Sequence, residues 1–129
     1  MNSLAVFVAA RVLIASVFIG LGTERLLTAA GVLGATGAPT SVGALAFSAF
    51  ELIAGLLILS GWRVRWVAPL MAALMLGDAF LSHPFWHFAG AEQHGQLLHF
   101  LKNISIIGGL LLLWWAEGAR VPRGRTRFA

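Results

Sequence analysis

A chain of 129 residues that is 59% hydrophobic and only 11% charged, with a mean hydropathy of +0.86, lacks the charge a water-soluble surface needs. The net charge is +4, yet four of the basic residues (Arg120, Arg123, Arg125 and Arg127) crowd directly behind the last apolar run. That juxtamembrane placement points to membrane lipid as the partner and argues against nucleic acid, while the absence of cysteine excludes disulfides, thiolate metal sites and thiol catalysis.

The first apolar segment, residues 4–21, has no basic region before it, and Arg11 interrupts the stretch that a signal peptide would keep clean. It reads as an uncleaved transmembrane helix. A Gly-rich linker, 22–41, follows; within it Glu24–Leu33 could form a short interfacial helix, and Pro39-Thr40-Ser41 is placed to cap the next element. The second helix is expected over 42–60. A tight turn, 61–65, carries Arg63 and Arg65 and leads to a third helix over 66–82, which Ser82-His83-Pro84 should end. A polar and aromatic loop, 83–96, precedes a fourth helix over 97–116 and a basic tail, 117–129. Each apolar run is near the ~20 residues a spanning helix needs.

The fold class is therefore an all-α membrane protein: one domain, a bundle of four transmembrane helices. Six of the seven loop and tail arginines lie in the second loop and the tail, which predicts that both termini are cytoplasmic (N-in/C-in) and that His83, His87 and His94 face outward. Small residues recur at spacing four (Ser16/Gly20, Ala44/Ser48, Ala68/Ala72, Ala73/Gly77, Ser105/Gly109), which suits close helix packing within the chain and leaves a homo-oligomer open.

Each expected helix carries one ionisable residue inside its span: Arg11, Glu51, Asp78 and Lys102. A charge at mid-bilayer costs about 2.5–3.5 kcal/mol even on the lenient insertion scale, so these groups should face inward and find partners. Counting along the helices puts Arg11 and Glu51 roughly 10–13 Å from one edge of the membrane, and Asp78 and Lys102 roughly 6–8 Å from the other. Depth and sign together predict the pairs Arg11–Glu51 and Asp78–Lys102. Such pairs are either structural glue or the lining of a polar cavity. Histidines gather at the outer end, but Pro84 separates His83 from His87, and no metal site is expected. His99, Lys102 and Asn103, with Trp86 near the mouth, would line a wet aromatic pocket; a quinone head group is the ligand it would suit, and no other cofactor is indicated.

Arg11, then Phe18-x3-Gly22-x2-Arg25-Leu26, Glu51-x3-Gly55-x5-Gly61, His83-x2-Trp86 and Phe100-Leu101-Lys102-Asn103 together make a pattern that resembles the DoxX family of small bacterial membrane proteins. The resemblance runs from about Arg11 to Leu113; Arg25 stands where the family usually has lysine, and Pro84 departs from the pattern. It implies a four-helix protein of the bacterial inner membrane. Some relatives are subunits of a thiosulfate:quinone oxidoreductase, and others join membrane oxidoreductase complexes. Three functions follow as expectations: a membrane subunit of a quinone-linked oxidoreductase complex with a partner subunit, a non-catalytic scaffold that docks a soluble redox enzyme on its basic face, or a small transporter or proton relay. The candidate ligand-binding residues are Arg11, Glu51, Asp78, Trp86, His99, Lys102 and Asn103.

Overall fold

A computed structural model describes residues 3–32 and 41–120. The run beyond Arg120, which holds Arg123, Arg125 and Arg127, lies outside the described residues, as do Pro39 and Thr40. The described residues form α1 (Ser3–Ala29), α2 (Val42–Ser60), α3 (Val64–Ser82) and α4 (Gly90–Arg120), with a single 3-10 turn over Phe85–His87. All four helices are long and apolar enough to cross a membrane.

Three boundaries agree with local chemistry. The Ser41 hydroxyl accepts a hydrogen bond from the Ala44 amide and so caps α2. At the other end of α2, Gly61 adopts φ +82° and its amide returns to the Leu57 and Ile58 carbonyls. Helix α3 ends at Ser82, where Pro84 forbids another turn.

Three boundaries differ from expectation by a turn or more: the end of α1, the start of α4, and the end of α4, which runs past 116 to Arg120 and takes in the first residues of the expected tail. Helix α1 does not stop near Leu21: it runs on to Ala29 and absorbs Glu24–Ala29 of the segment expected as a separate interfacial helix, whose Leu33 lies outside the described residues. Gly22, which reads as a linker residue, is instead a packing position. A Cβ there would lie 2.8 Å from the Ser48 carbonyl oxygen and 2.9 Å from the Leu52 amide nitrogen, so its absence lets α1 close onto the α2 backbone. Helix α4 starts at Gly90, about two turns before its apolar run, because hydropathy reports contact with lipid and not helicity. At 1.5 Å per residue α4 is roughly 46 Å long and overshoots a hydrocarbon layer of ~30 Å.

The helices form a square of antiparallel neighbours. Helix α1 packs along α2 and α3 along α4, giving two close hairpins; α1 also meets α4 and α2 meets α3, both more sparsely. The chain termini of the bundle and the α2–α3 turn share one end, here termed the basic end. The α3–α4 connection with its histidines marks the opposite, histidine end. A dry core of Ala15, Phe18, Ala54, Ile58, Ala68, Met71, Met75 and Leu110 fills the half nearer the basic end. Outward-facing Leu, Ile and Trp side chains cover the rest, as lipid requires. The close approaches use Gly22 and Gly55, whose missing Cβ leaves room for Ile19 and Phe18. Among the spacing-four pairs, Gly20 and Gly77 face open space.

Two outcomes check this architecture. Gly22→Ala should push α1 off the Ser48–Leu52 backbone and destabilise the bundle by about 1–3 kcal/mol, read as an earlier unfolding midpoint in denaturing detergent; an unchanged midpoint would contradict the contact. Alkaline phosphatase fused after Ala129 should be inactive and fused near Gly90 active, because the loop arginines collect at the basic end; the reverse pattern would invert the orientation.

Candidate functional site

The charges inside the bundle pair differently from their depths along the sequence. Glu51 is 2% exposed, and its carboxylate accepts a hydrogen bond from Arg25 Nη1 at 2.7 Å, not from Arg11. The reason is the lean of side chains along a helix. Each Cα–Cβ bond tilts toward the helix N-terminus. Arg25 on α1 therefore leans down into the bundle, while Glu51 on antiparallel α2 leans up toward the histidine end. Arg11 leans away from Glu51 toward the basic end, where its guanidinium packs against Gly61; a Cβ at Gly61 would collide with Arg11 Nη1. The expected Arg11–Glu51 pair does not form.

Nor does Asp78 pair with Lys102. Asn103 Nδ2 donates to Asp78 Oδ2 at 2.8 Å and Ser82 Oγ donates to Asp78 Oδ1 at 2.7 Å. Successive residues on a helix point about 100° apart, so only one of Lys102 and Asn103 can face α3. Asn103 is buried, and Lys102 is turned outward, 3.5 Å from His99 Nδ1.

His83, a C-cap residue, joins these groups. Its Nδ1 lies 2.9 Å from Gln96 Oε1, to which it can donate, and its Nε2 lies 3.8 Å from Asp78 Oδ2. Its ring stacks on His99 with centroids 5.0 Å apart. Asp78, His83, His99 and Lys102 thus lie in a row toward the surface, joined by a 3.8 Å polar approach, a ring stack and a 3.5 Å contact in turn. Trp86 stands beside this row in an aromatic cluster, edge-on to Phe85 and Phe100 and tilted against Phe80.

A groove of about 290 Å³ opens between α2 and α3, walled by Phe47, Leu74 and Leu81, with Asp78 and Ser82 supplying its polar side chains. His99, Lys102 and Trp86 lie outside its lining. The structure therefore gathers Asp78, Asn103, His99 and Lys102 at the histidine end, keeps Glu51 with Arg25 deeper in the α1–α2 hairpin, and leaves Arg11 at the opposite end. Arg25, Ser82, His83 and Gln96 are the site residues absent from the candidates read in the sequence. Ser82 was signalled by its i,i+4 spacing from Asp78.

The family model described as DoxX matches residues 6–84, that is, α1 to α3. The chain belongs to the DoxX family. The inner membrane protein YphA of Escherichia coli (strain K12) is 31% identical over 108 residues, covering 81% of this chain and 77% of that protein. No solved structure matches. This DoxX protein is accordingly a multi-pass protein of the inner membrane.

The Arg25–Glu51 pair gives an asymmetric mutational test. Arg25→Leu should strand Glu51 and cost about 3–5 kcal/mol, whereas the double change Arg25→Leu with Glu51→Leu should recover most of that loss. Arg11→Leu should not couple to Glu51→Leu. A double-mutant cycle in detergent that finds the coupling at Arg11 instead would refute the assignment.

Proposed function

We propose that this DoxX protein is the membrane subunit of a quinone-linked oxidoreductase complex, and that the α2–α3 groove takes the quinone head group. One observation carries the reading: a half-buried carboxylate, Asp78, both lines an apolar groove on the bundle's side and lies next to His83 at its surface end. At about 290 Å³ the groove is at the lower bound of small-molecule sites, enough for a ring whose isoprenoid tail stays in the bilayer. A bound quinone would carry two electrons and two protons, the electrons supplied by a partner subunit that holds the redox centre.

In that reading Phe47, Leu74 and Leu81 wall the ring and exclude water. Asp78, steadied by Asn103 and Ser82, is the hydrogen-bond partner of a ring oxygen. His83 hands protons between Asp78 and the surface, and Gln96 fixes which of its nitrogens faces Asp78. Lys102 and His99 sit at the outer end of the row and serve it as a surface relay.

The same row supports a second reading, a small proton relay that works without a quinone. One set of measurements separates the two. Purified protein titrated calorimetrically with a short-chain quinone analogue should bind saturably. Asp78→Leu should weaken binding by about tenfold or more, the worth of a hydrogen bond to a charged group, with helicity retained. Lys102→Met should leave it nearly unchanged. Absence of saturable binding to the wild type, or Asp78→Leu binding as tightly, would overturn the quinone reading. Proton flux in proteoliposomes free of quinone would then support the relay.

A further inference from the structure

The basic end holds a charge imbalance that the bundle does not resolve. Arg11 is half-buried, and its Nε is buried without a hydrogen-bond partner. Its head group packs against Gly61 at the end of α2 and lies 5.9 Å from the centre of the Phe7 ring. The Arg120 guanidinium sits over the same ring at 3.7 Å. Phe7 thus holds two guanidinium groups at one place between α1 and α4, and the adjoining α2–α3 turn and first turn of α3 add Arg63 and Arg65. Among the described residues the acidic group at this end is Glu117, one turn before Arg120, and it makes no ion pair. The C-terminal dipole of α2 contributes only about half a negative charge. Neither term, nor both together, balances four arginines.

Depth identifies what can. Trp62 and Trp66 beside the turn, and Trp114 and Trp115 near the end of α4, are exposed on the lipid-facing surface, 62%, 70%, 44% and 71% respectively. Exposed tryptophans at one end of a bundle mark the level of lipid head groups. Arg63 stacks over Trp62 at 5.4 Å, which holds a cation at that level. The arginines therefore stand where phosphodiesters are densest, and guanidinium forks match phosphate oxygens in geometry.

We propose that Arg11 and Arg120, bracketing Phe7, bind the phosphodiester of an anionic phospholipid, with Arg63 and Arg65 contributing at the rim and the lipid's acyl chains lying along the tryptophan-bearing faces. Arg11 is the specificity-determining member, because its head group is fixed in place by Gly61 and Phe7. Zwitterionic lipids carry a compensating ammonium and gain less from the cluster.

Native mass spectrometry of the full chain in a nonionic detergent tests this. The protein is offered phosphatidylglycerol or phosphatidylcholine with identical acyl chains, and inorganic phosphate in a competing arm. Wild type should retain phosphatidylglycerol several-fold more than phosphatidylcholine. Arg120→Gln, at an exposed position, and Arg11→Gln should each cut phosphatidylglycerol retention roughly fivefold and leave phosphatidylcholine unchanged. Arg11→Lys, which keeps the charge but loses the fork, should fall between. If Arg11→Gln does not fold, Arg120→Gln alone decides. Equal retention of the two lipids by wild type, or undiminished retention in Arg120→Gln, would overturn the proposal. Displacement of phosphatidylglycerol by inorganic phosphate would also overturn it, by making the cluster a site for a soluble anion.

Discussion

A charge in hydrocarbon must bring its own solvent, and in this bundle Arg25 and Glu51 solvate each other across the α1–α2 seam. The pair needs the two backbones close together, and Gly22, one turn from Arg25 and facing Ser48 and Leu52, is what permits that approach. The length of α1 follows from the same requirement: had the helix ended near Leu21, Arg25 would hang in a loop and Glu51 would be buried alone. Packing, helix length and charge compensation are thus one arrangement seen from three sides. The dry core toward the basic end and the polar half toward the histidine end divide the bundle at about this level.

Much of this was legible in the primary structure. Four apolar runs, the Ser41 cap, the Gly61 turn and the Pro84 stop all declare themselves through local chemistry, and each intramembrane charge was visible as a cost to be met. The pairings were not legible, for a geometric reason. Counting residues from a membrane edge locates Cα atoms, but an arginine head group lies several ångströms from its Cα, displaced toward the helix N-terminus. In antiparallel helices that displacement has opposite signs, so groups matched in Cα depth move apart and groups offset in depth meet. Lys102 and Asn103 show the complementary gap: adjacent in sequence, they differ in azimuth, which an apolar run cannot report.

The seam between the hairpins explains where a ligand could sit. Within each hairpin the helices interdigitate closely, but α2 and α3 touch over a shorter length, and the groove at Asp78 occupies the space that remains. The opening is lateral. A guest of this groove would come from the bilayer, so its relevant concentration is that in the membrane, and membership of the DoxX family places that membrane as the inner one.

The side-chain hydrogen bonds between helices also partition by hairpin. Arg25 meets Glu51 within α1–α2; Asn103 meets Asp78 and Gln96 meets His83 within α3–α4. Each hairpin therefore enters lipid with these groups already matched, and on meeting the two hairpins bury apolar surface and small residues and bring Arg120 over Phe7. Biogenesis can proceed as two insertions followed by one lateral docking step, with no interval in which Glu51 or Asp78 must wait in hydrocarbon for a helix that has yet to be synthesised.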